Sequence, residues 1–395
     1  MSEQLSDIVI LSAVRTAIGG FGGSLAAVPP TALAETVTAA ALARAGIAPG
    51  QVGQVVFGHV LNTEPRDLYL ARVAALAAGM PDGVPAMNVN RLCGSGAQAI
   101  VSAAQALLLG DADIALAGGA ESMSRAPFTV PAQRWGAKMG DVAVQDMMLG
   151  ALNCPFGTGH MGVTAENVAD EHAVSRADQD AFALESQSRA ARAIAEGRFA
   201  GQIVAVEQQT RQSSVSFDTD EHPKATSAEA LAGLRPAFRK DGSVTAGNAS
   251  GINDGAAALV LARAGAAEAA GAEPLARLTG YALAGVRPEV MGLGPIPAVR
   301  RLLEKTGLAI DDFDVIESNE AFAAQALAVS RALGLDPERV NPNGGAIALG
   351  HPVGATGAIL TVKAVHELAR TGGRRALVTM CIGGGQGIAL ALERV

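Results

Sequence analysis

Short runs of Val, Ile, Leu and Ala alternate along the chain with longer alanine-rich stretches of helical character. Residues 7–14 read as a buried strand, and Thr31 to Ala45 as a helix with Thr31 as N-cap and Gly46 as stop. Val55 to Val60 is strand-like and Leu68 to Ala78 helix-like. A strand from Pro85 to Val89 then leads into Cys93, a run of small helix formers spans Gly96 to Leu109, and a strand follows at Ile114 to Gly119. Strands alternating with helices predict βα units and a parallel or mixed sheet buried on both faces.

From about Ser122 the pattern changes. Residues 123–160 hold the single Trp and several methionines and prolines with little periodicity. Ser175, with Asp178 three residues on, predicts a capping box for a helix that Gly197 ends. Residues 207–227 are polar, and Asp218, Asp220, Glu221 and His222 lack metal-ligand spacing and read as a solvated loop. The alternation resumes with Ala256 to Leu261, Ala276 to Leu283, Val299 to Lys305, Asp314 to Glu317, Ala321 to Leu333 and strands at 376–381 and 388–392. The expected division is therefore 1–122 with 253–274 as one half, 123–252 as a loop-rich insertion, and 275–395 as a second half.

The two halves echo one another. Asn88-x-Asn, Cys93-x-x-Gly96, an apolar helix, strand Ile114 to Ala117 and Gly118-Gly119 have a counterpart. It is Asn341-x-Asn, His351-x-x-Gly354, a helix, strand Ala376 to Thr379 and Gly383-Gly384. Halves packed about a pseudo-twofold axis would bring the Cys93 and His351 corners face to face.

Composition narrows the picture. With 395 residues, 49% hydrophobic but only 3% aromatic, the chain must build more than one core from Ala, Val, Leu and Ile. A net charge of -8 argues against a nucleic-acid or anionic-membrane partner. Cys93, Cys154 and Cys381 form neither a disulfide framework nor a metal motif, which predicts a reducing, cytoplasmic compartment and no metal. The N-terminus reads as a first strand rather than a signal peptide, and the longest apolar runs fall short of the roughly 20 residues of a membrane span.

Cys93 stands at a strand-to-helix corner, where free N–H groups favour thiolate, so a thiol more acidic than usual is expected there. Gly94 and Gly96 would let a substrate approach the backbone. The plainer alternative is a small buried hydrophobe. His351, in a glycine-rich approach to a helix with Pro352 at the first turn, could take a thiol proton. Cys381 precedes the glycine turn 383–385, which offers a backbone donor to an oxyanion. Asn319 reads either as a helix N-cap or as a holder of water or a carbonyl. His160-Met161 reads by composition as a surface pair. The glycine turn after Cys381 does not fit G-x-G-x-x-G, since residue 388 is Ile, and no G-x-x-x-x-G-K-[ST] occurs, so a nucleotide-hydrolysing or dinucleotide reading is weak.

With these motifs assembled, the chain resembles the thiolase family. Asn90-Arg-Leu-Cys-Gly-Ser-Gly96, Gly118-Gly-Ala-Glu-Ser-Met-Ser124, Asn319-Glu-Ala-Phe-Ala323, Gly350-His-Pro-Val-Gly-Ala-Thr-Gly357 and Cys381-Ile-Gly-Gly-Gly-Gln-Gly387 carry the likeness, in family order across essentially the whole chain. Gly159-His-Met-Gly162 and Thr245-Ala-Gly-Asn-Ala-Ser-Gly251 are similar to the short-chain biosynthetic branch. The resemblance implies an α/β fold of two similar βα halves with mixed sheets, plus the insertion. It also implies reversible condensation of two acetyl-CoA to acetoacetyl-CoA and CoA, with thiolysis of other short 3-ketoacyl-CoA in reverse. Coenzyme A thioesters are then substrates, with no permanently bound cofactor.

In that reading Cys93 is the nucleophile activated by His351, and Cys381 is the acid/base at the α-carbon. His351 with a water on Asn319 makes one oxyanion hole, and the N–H groups of Cys93 and Gly383 make the other. His160, Met161, Leu152, Phe238, Ala246, Ser250, Met291, Ala321 and Phe322 are expected along the pantetheine and thioester, and Lys224 at the adenine nucleotide. The chain departs from the family near 222–229, where biosynthetic members often carry Arg, and at Cys154 to His160, where a tyrosine is commoner. Family members are usually tetramers. Alternatives are a degradative 3-ketoacyl-CoA thiolase of broader chain length and a β-ketoacyl synthase-like condensing enzyme, although the latter uses two histidines where this chain has His351 and Cys381. An acyl-CoA hydrolase and an inactive acyl-CoA-binding scaffold are more distant rivals.

Overall fold

A computed structural model describes residues 7–209 and 214–395. Nine principal strands form one continuous path: β1 (Ile8–Thr16), β2 (Gln54–Gly58), β3 (Ala86–Val89), β4 (Ile114–Ser122), β5 (Asn253–Arg263), β6 (Ala276–Gly285), β7 (Val315–Ser318), β8 (Arg375–Ile382) and β9 (Gln386–Arg394). Their spatial order is β7-β8-β9-β6-β1-β5-β4-β2-β3. Only Val9 and Ile10 of β1 pair with β6, at Arg277 and Ala276, so the path is two sheets joined at a short seam.

The two sheets are built alike. In the first, β3 and β4 flank β2 in parallel, and β5 and β1 follow antiparallel. In the second, β8 lies parallel to β7, with β9 and β6 following antiparallel. The place that β3 holds in the first sheet is taken by a single parallel bridge from Ile316 to Val340. Val340 immediately precedes Asn341-Pro-Asn343, the counterpart of Asn88-Val-Asn90, so the echo in the sequence corresponds to a repeated topology.

Eight longer helices accompany the strands: α1 (Pro30–Ala45), α2 (Leu70–Ala77), α3 (Ser95–Leu109), α4 (Met161–Glu171), α5 (Arg176–Ala195), α6 (Pro295–Thr306), α7 (Ala323–Leu333) and α8 (Thr356–Thr371). Strand alternation sends side chains to opposite faces. Thus Ile8, Ile10, Ala257, Leu259, Val378 and Leu390 join α3 and α8 in one core. The other face of the first sheet packs on α1 and α2, and that of the second on α6. The order of layers is helix, sheet, helix pair, sheet, helix. Because α3 and α8 share the middle layer, the residues just before them meet.

Several local expectations are corrected. Pro29 and Pro30 start α1, and Thr31 is buried inside it rather than capping it. The segment read as a helix from Leu68 begins as a 3₁₀ turn, Pro65–Tyr69. Ser175 caps α5 through its hydroxyl, which accepts from the N–H of Asp178 at 3.1 Å. The Asp178 carboxylate also accepts from Arg331, at 2.8 Å. Segment 123–252 is less loop-rich than its composition suggested, because α4 and α5 lie within it. The window Leu92–Leu109 is apolar and long enough to pass as a membrane span, contrary to expectation; its inner face is packed between the sheets.

Candidate active site

Cys93 sits one residue before the Gly94 cap of α3, in a turn that folds on itself. Asn90 Oδ1 accepts the N–H of Leu92 at 2.9 Å, and Ser95 Oγ donates to the Leu92 carbonyl at 2.6 Å, holding Leu92 at φ 45°. Arg91 reaches the opposite half and donates to Gln386 Oε1 at 2.9 Å. The sulfur receives the N–H groups of Gly383 and of Cys93 itself. Burial nevertheless dominates: it pushes the thiol above its ordinary value, those two donors oppose the rise, and the Glu121 carboxylate adds to it. The expectation of an unusually acidic Cys93 is thus corrected.

Glycines explain how the second half comes so close. A methyl on Gly58 would lie 2.6 Å from the Gly354 carbonyl, and one on Gly119 2.8 Å from the Ala355 Cα. Gly96 likewise leaves room for the first turn of α8, where a methyl would stand 2.6 Å from the Ala358 nitrogen. The buried Glu121 carboxylate fastens the join, accepting from Val60 and Leu61 N–H at 3.1 Å each and from Gly354 N–H at 2.9 Å.

His351 lies in the turn between the short helix Ala346–Leu349 and α8, and Pro352 stands before the first helical turn rather than in it. The His351 N–H donates to Asn253 Oδ1 at 2.9 Å. Its ring is buried, with Nδ1 2.7 Å from Thr356 Oγ1 and Nε2 3.5 Å from Asn319 Nδ2. Burial lowers the imidazole to about 4.

Asn319 follows β7 and is not a helix cap, since Phe322 takes that place at α7. Its Oδ1 has no partner among the described residues. Cys381 is buried in β8, where burial and the nearby Cys93 sulfur both push its thiol up. It packs with Met161, Met291, Ala321 and Phe322.

Above Cys93, His351 and Gly383 opens a cavity of about 930 Å³. Leu152, His160, Met161, Phe238 and Phe322 line it, as do Ala246, Ser250, Met291, Ala321 and Lys224. Asn319 and Cys381 stand behind this lining. His160 is no surface residue: its ring stacks on Phe238 at 4.7 Å, and Phe238 meets Phe322 edge-on at 6.1 Å. Its Nδ1 accepts the N–H of Gly162 at 3.0 Å, capping α4.

Of Asp218, Asp220, Glu221 and His222, read as a solvated loop, Asp218 and Glu221 are exposed, whereas Asp220 and His222 are not solvated as expected. Asp220 is buried and accepts two hydrogen bonds from buried Arg15, at 2.7 and 2.9 Å. Glu221 accepts from Gly20 N–H, Ser24 N–H and Ser24 Oγ. His222 lines the cavity with Gln187, Phe21 and Ile252, none of which the sequence singled out. Thr356 and Glu121 were also missed as contributors, although both lie inside quoted motifs.

The family model for the thiolase N-terminal domain matches residues 8–265, and that for the thiolase C-terminal domain matches residues 272–394. The chain belongs to the thiolase family. Among thiolases, it is 60% identical to the beta-ketothiolase BktB of Cupriavidus necator over 98% of this chain and 99% of that one. It is 51% identical to an acetyl-CoA acetyltransferase of Pseudomonas aeruginosa, over 99% and 100%. The Bacillus anthracis acetyl-CoA acetyltransferase superposes with a TM-score of 0.97 at 47% identity, covering 99% of both chains. Human mitochondrial 3-ketoacyl-CoA thiolase in complex with CoA superposes with a TM-score of 0.95 at 43% identity, covering 98% of both. The two-half mixed α/β architecture expected from the sequence is therefore the thiolase fold.

Proposed function

We infer that the chain is an acetyl-CoA C-acyltransferase working on acetyl-CoA, acetoacetyl-CoA and other short 3-ketoacyl-CoA, with CoA as product or acceptor. One observation carries the residue assignments: Cys93, His351 and Gly383 share the floor of one cavity, with Cys381 and Asn319 directly behind it. Cys93 gives its proton to His351 and attacks the thioester carbonyl. The tetrahedral intermediate collapses, and the departing CoA thiolate takes the proton of Cys381 and leaves as CoA. The Cys381 thiolate then takes an α-proton from a second acetyl-CoA, and the enolate carbon attacks the acetyl group on Cys93; acetoacetyl-CoA is released, and the proton held on His351 returns to the Cys93 sulfur.

Each step places charge on an oxygen, which needs donors set in advance. The N–H groups of Cys93 and Gly383 serve the acyl oxygen. His351 and a water on the free Asn319 Oδ1 side serve the enolate. His160, Met161, Leu152, Phe238, Ala246, Ser250, Met291, Ala321 and Phe322 hold pantetheine and thioester, and Lys224 meets the nucleotide. No permanently bound cofactor is required. Our reading of the chain keeps 1–122 with 253–274, 123–252 and 275–395 as three units, places the enzyme in the cytoplasm, and makes it a homotetramer.

Mass spectrometry after mixing with acetyl-CoA tests the scheme. Acetyl is expected on Cys93 alone and absent from Cys93→Ala. Cys381→Ala is expected to acetylate yet to yield no acetoacetyl-CoA, consistent with two half-reactions through one covalent intermediate. Acetylation at another residue would count against the assignment.

A further inference from the structure

Thr356 is the first residue of α8 and is buried. Its hydroxyl touches two atoms. Oγ1 is 2.9 Å from the Pro352 carbonyl oxygen and 2.7 Å from His351 Nδ1. A carbonyl has no proton to offer, so the oxygen–oxygen contact requires the hydroxyl's own. That single proton is then committed to Pro352, and the lone pair of Oγ1 faces the imidazole. Nδ1 must carry a hydrogen to fill the contact. A neutral imidazole protonated at Nδ1 is bare at Nε2. Nε2 is the atom toward Asn319 Nδ2, a donor that suits a bare nitrogen.

We propose that Thr356 is a positioning residue that fixes His351 in the Nδ1–H form, so that Nε2 is the free base when substrate arrives. The inference deepens the function proposed above and rests on His351 being that base.

The same contact helps a second time. Once His351 has taken the thiol proton, both ring nitrogens donate, and Nδ1–H keeps its acceptor in Thr356. The acceptor offsets part of the burial that disfavours the cation at this ring. The hydroxyl is held firmly because Thr356 N–H also donates to Pro352, at 2.9 Å, which pins the start of α8 over that carbonyl. Without the hydroxyl, the tautomer with Nε2–H and bare Nδ1 loses its penalty. That form presents a donor to Cys93 and cannot take its proton.

Two variants and one direct observation test this. Thr356→Val keeps the shape and removes the hydroxyl, and Thr356→Ser keeps the hydroxyl. For Thr356→Val, kcat and the rate of Cys93 acetylation are expected to fall by about 10²-fold, the scale of general-base catalysis, with KM for acetyl-CoA unchanged. Thr356→Ser is expected to recover most of the rate. The alkylation of Cys93 by iodoacetamide should shift its pH profile in the valine variant and not in the serine variant. A neutron diffraction map of deuterium-exchanged wild type should place deuterium on His351 Nδ1; this readout stands even where the valine variant fails to fold. Deuterium on Nε2 alone overturns the proposal, as does a folded Thr356→Val with wild-type kcat and alkylation profile. A wild type without CoA-dependent turnover would instead count against the thiolase assignment of His351 itself.

Discussion

At the scale of single residues, the buried groups of the site favour their neutral forms. Burial raises both thiols and lowers His351 to about 4, so neither a Cys93 thiolate nor an imidazolium is favoured before substrate binds. A base works only unprotonated, and a lowered pKa keeps it unprotonated further into acid. The rate of Cys93 acetylation is therefore expected to stay level as pH falls through 6.5 and to decline only toward 4. Rapid-quench mass spectrometry across that range reads it, and a half-loss near 6.5 would contradict the buried imidazole. The sequence singled out Cys93, His351, Cys381 and Asn319, which the structure brings together, but misjudged the Cys93 thiol. Helix-end donors are visible locally, whereas the desolvation that overrides them comes from segments up to roughly three hundred residues away. Asn319 shows the same limit in reverse: its N-cap role looked natural from neighbours alone, but α7 starts four residues later.

At the scale of elements, glycines set how α3 and α8 meet, and a buried ion pair ties α8 to β7. Gly58→Ala would drive a methyl against Ser95 and the Gly354 carbonyl, pushing the His351 turn off the Cys93 corner. A misplacement near 1 Å is expected to lower kcat by about 10²-fold while CoA still binds, as isothermal titration beside kinetics would register. On the far side of α8, Lys363 Nζ donates to Glu317 Oε2 at 2.6 Å and to the Gly344 carbonyl at 2.8 Å. Burial raises the Glu317 carboxyl to about 7 against the pull of Lys363. Lys363→Met would strand that carboxyl, at a cost of about 3–5 kcal/mol, seen as a lowered urea midpoint. The alternation of strands and helices was legible because buried strands and alanine-rich helices differ in period. Asp220 was not, since its partner Arg15 lies 205 residues earlier, in β1, and polar composition mimics a solvated loop.

At the scale of the whole molecule, the insertion presents apolar surface that nothing in one chain covers. Trp135 is 87% exposed, Met139 98% and Phe128 66%. If the chain forms the homotetramer proposed above, this surface is the one expected to pack against other copies. Replacing Trp135 and Met139 together by Glu should yield a smaller species by light scattering, with Cys93 acetylation retained; an unchanged mass would put the contact elsewhere. The repeated topology was partly readable from paired motifs, but the single bridge at Val340 in place of a full strand was not. One further property comes from the order of strands. β4 and β1 both hydrogen-bond to β5, which lies beyond the entire insertion in the chain. A ribosome extending at roughly 5–20 residues per second therefore leaves the first half open-edged for on the order of ten seconds. During that interval the nascent protein exposes two unpaired strand edges, and its safe synthesis depends on whatever shields them until residue 263 emerges.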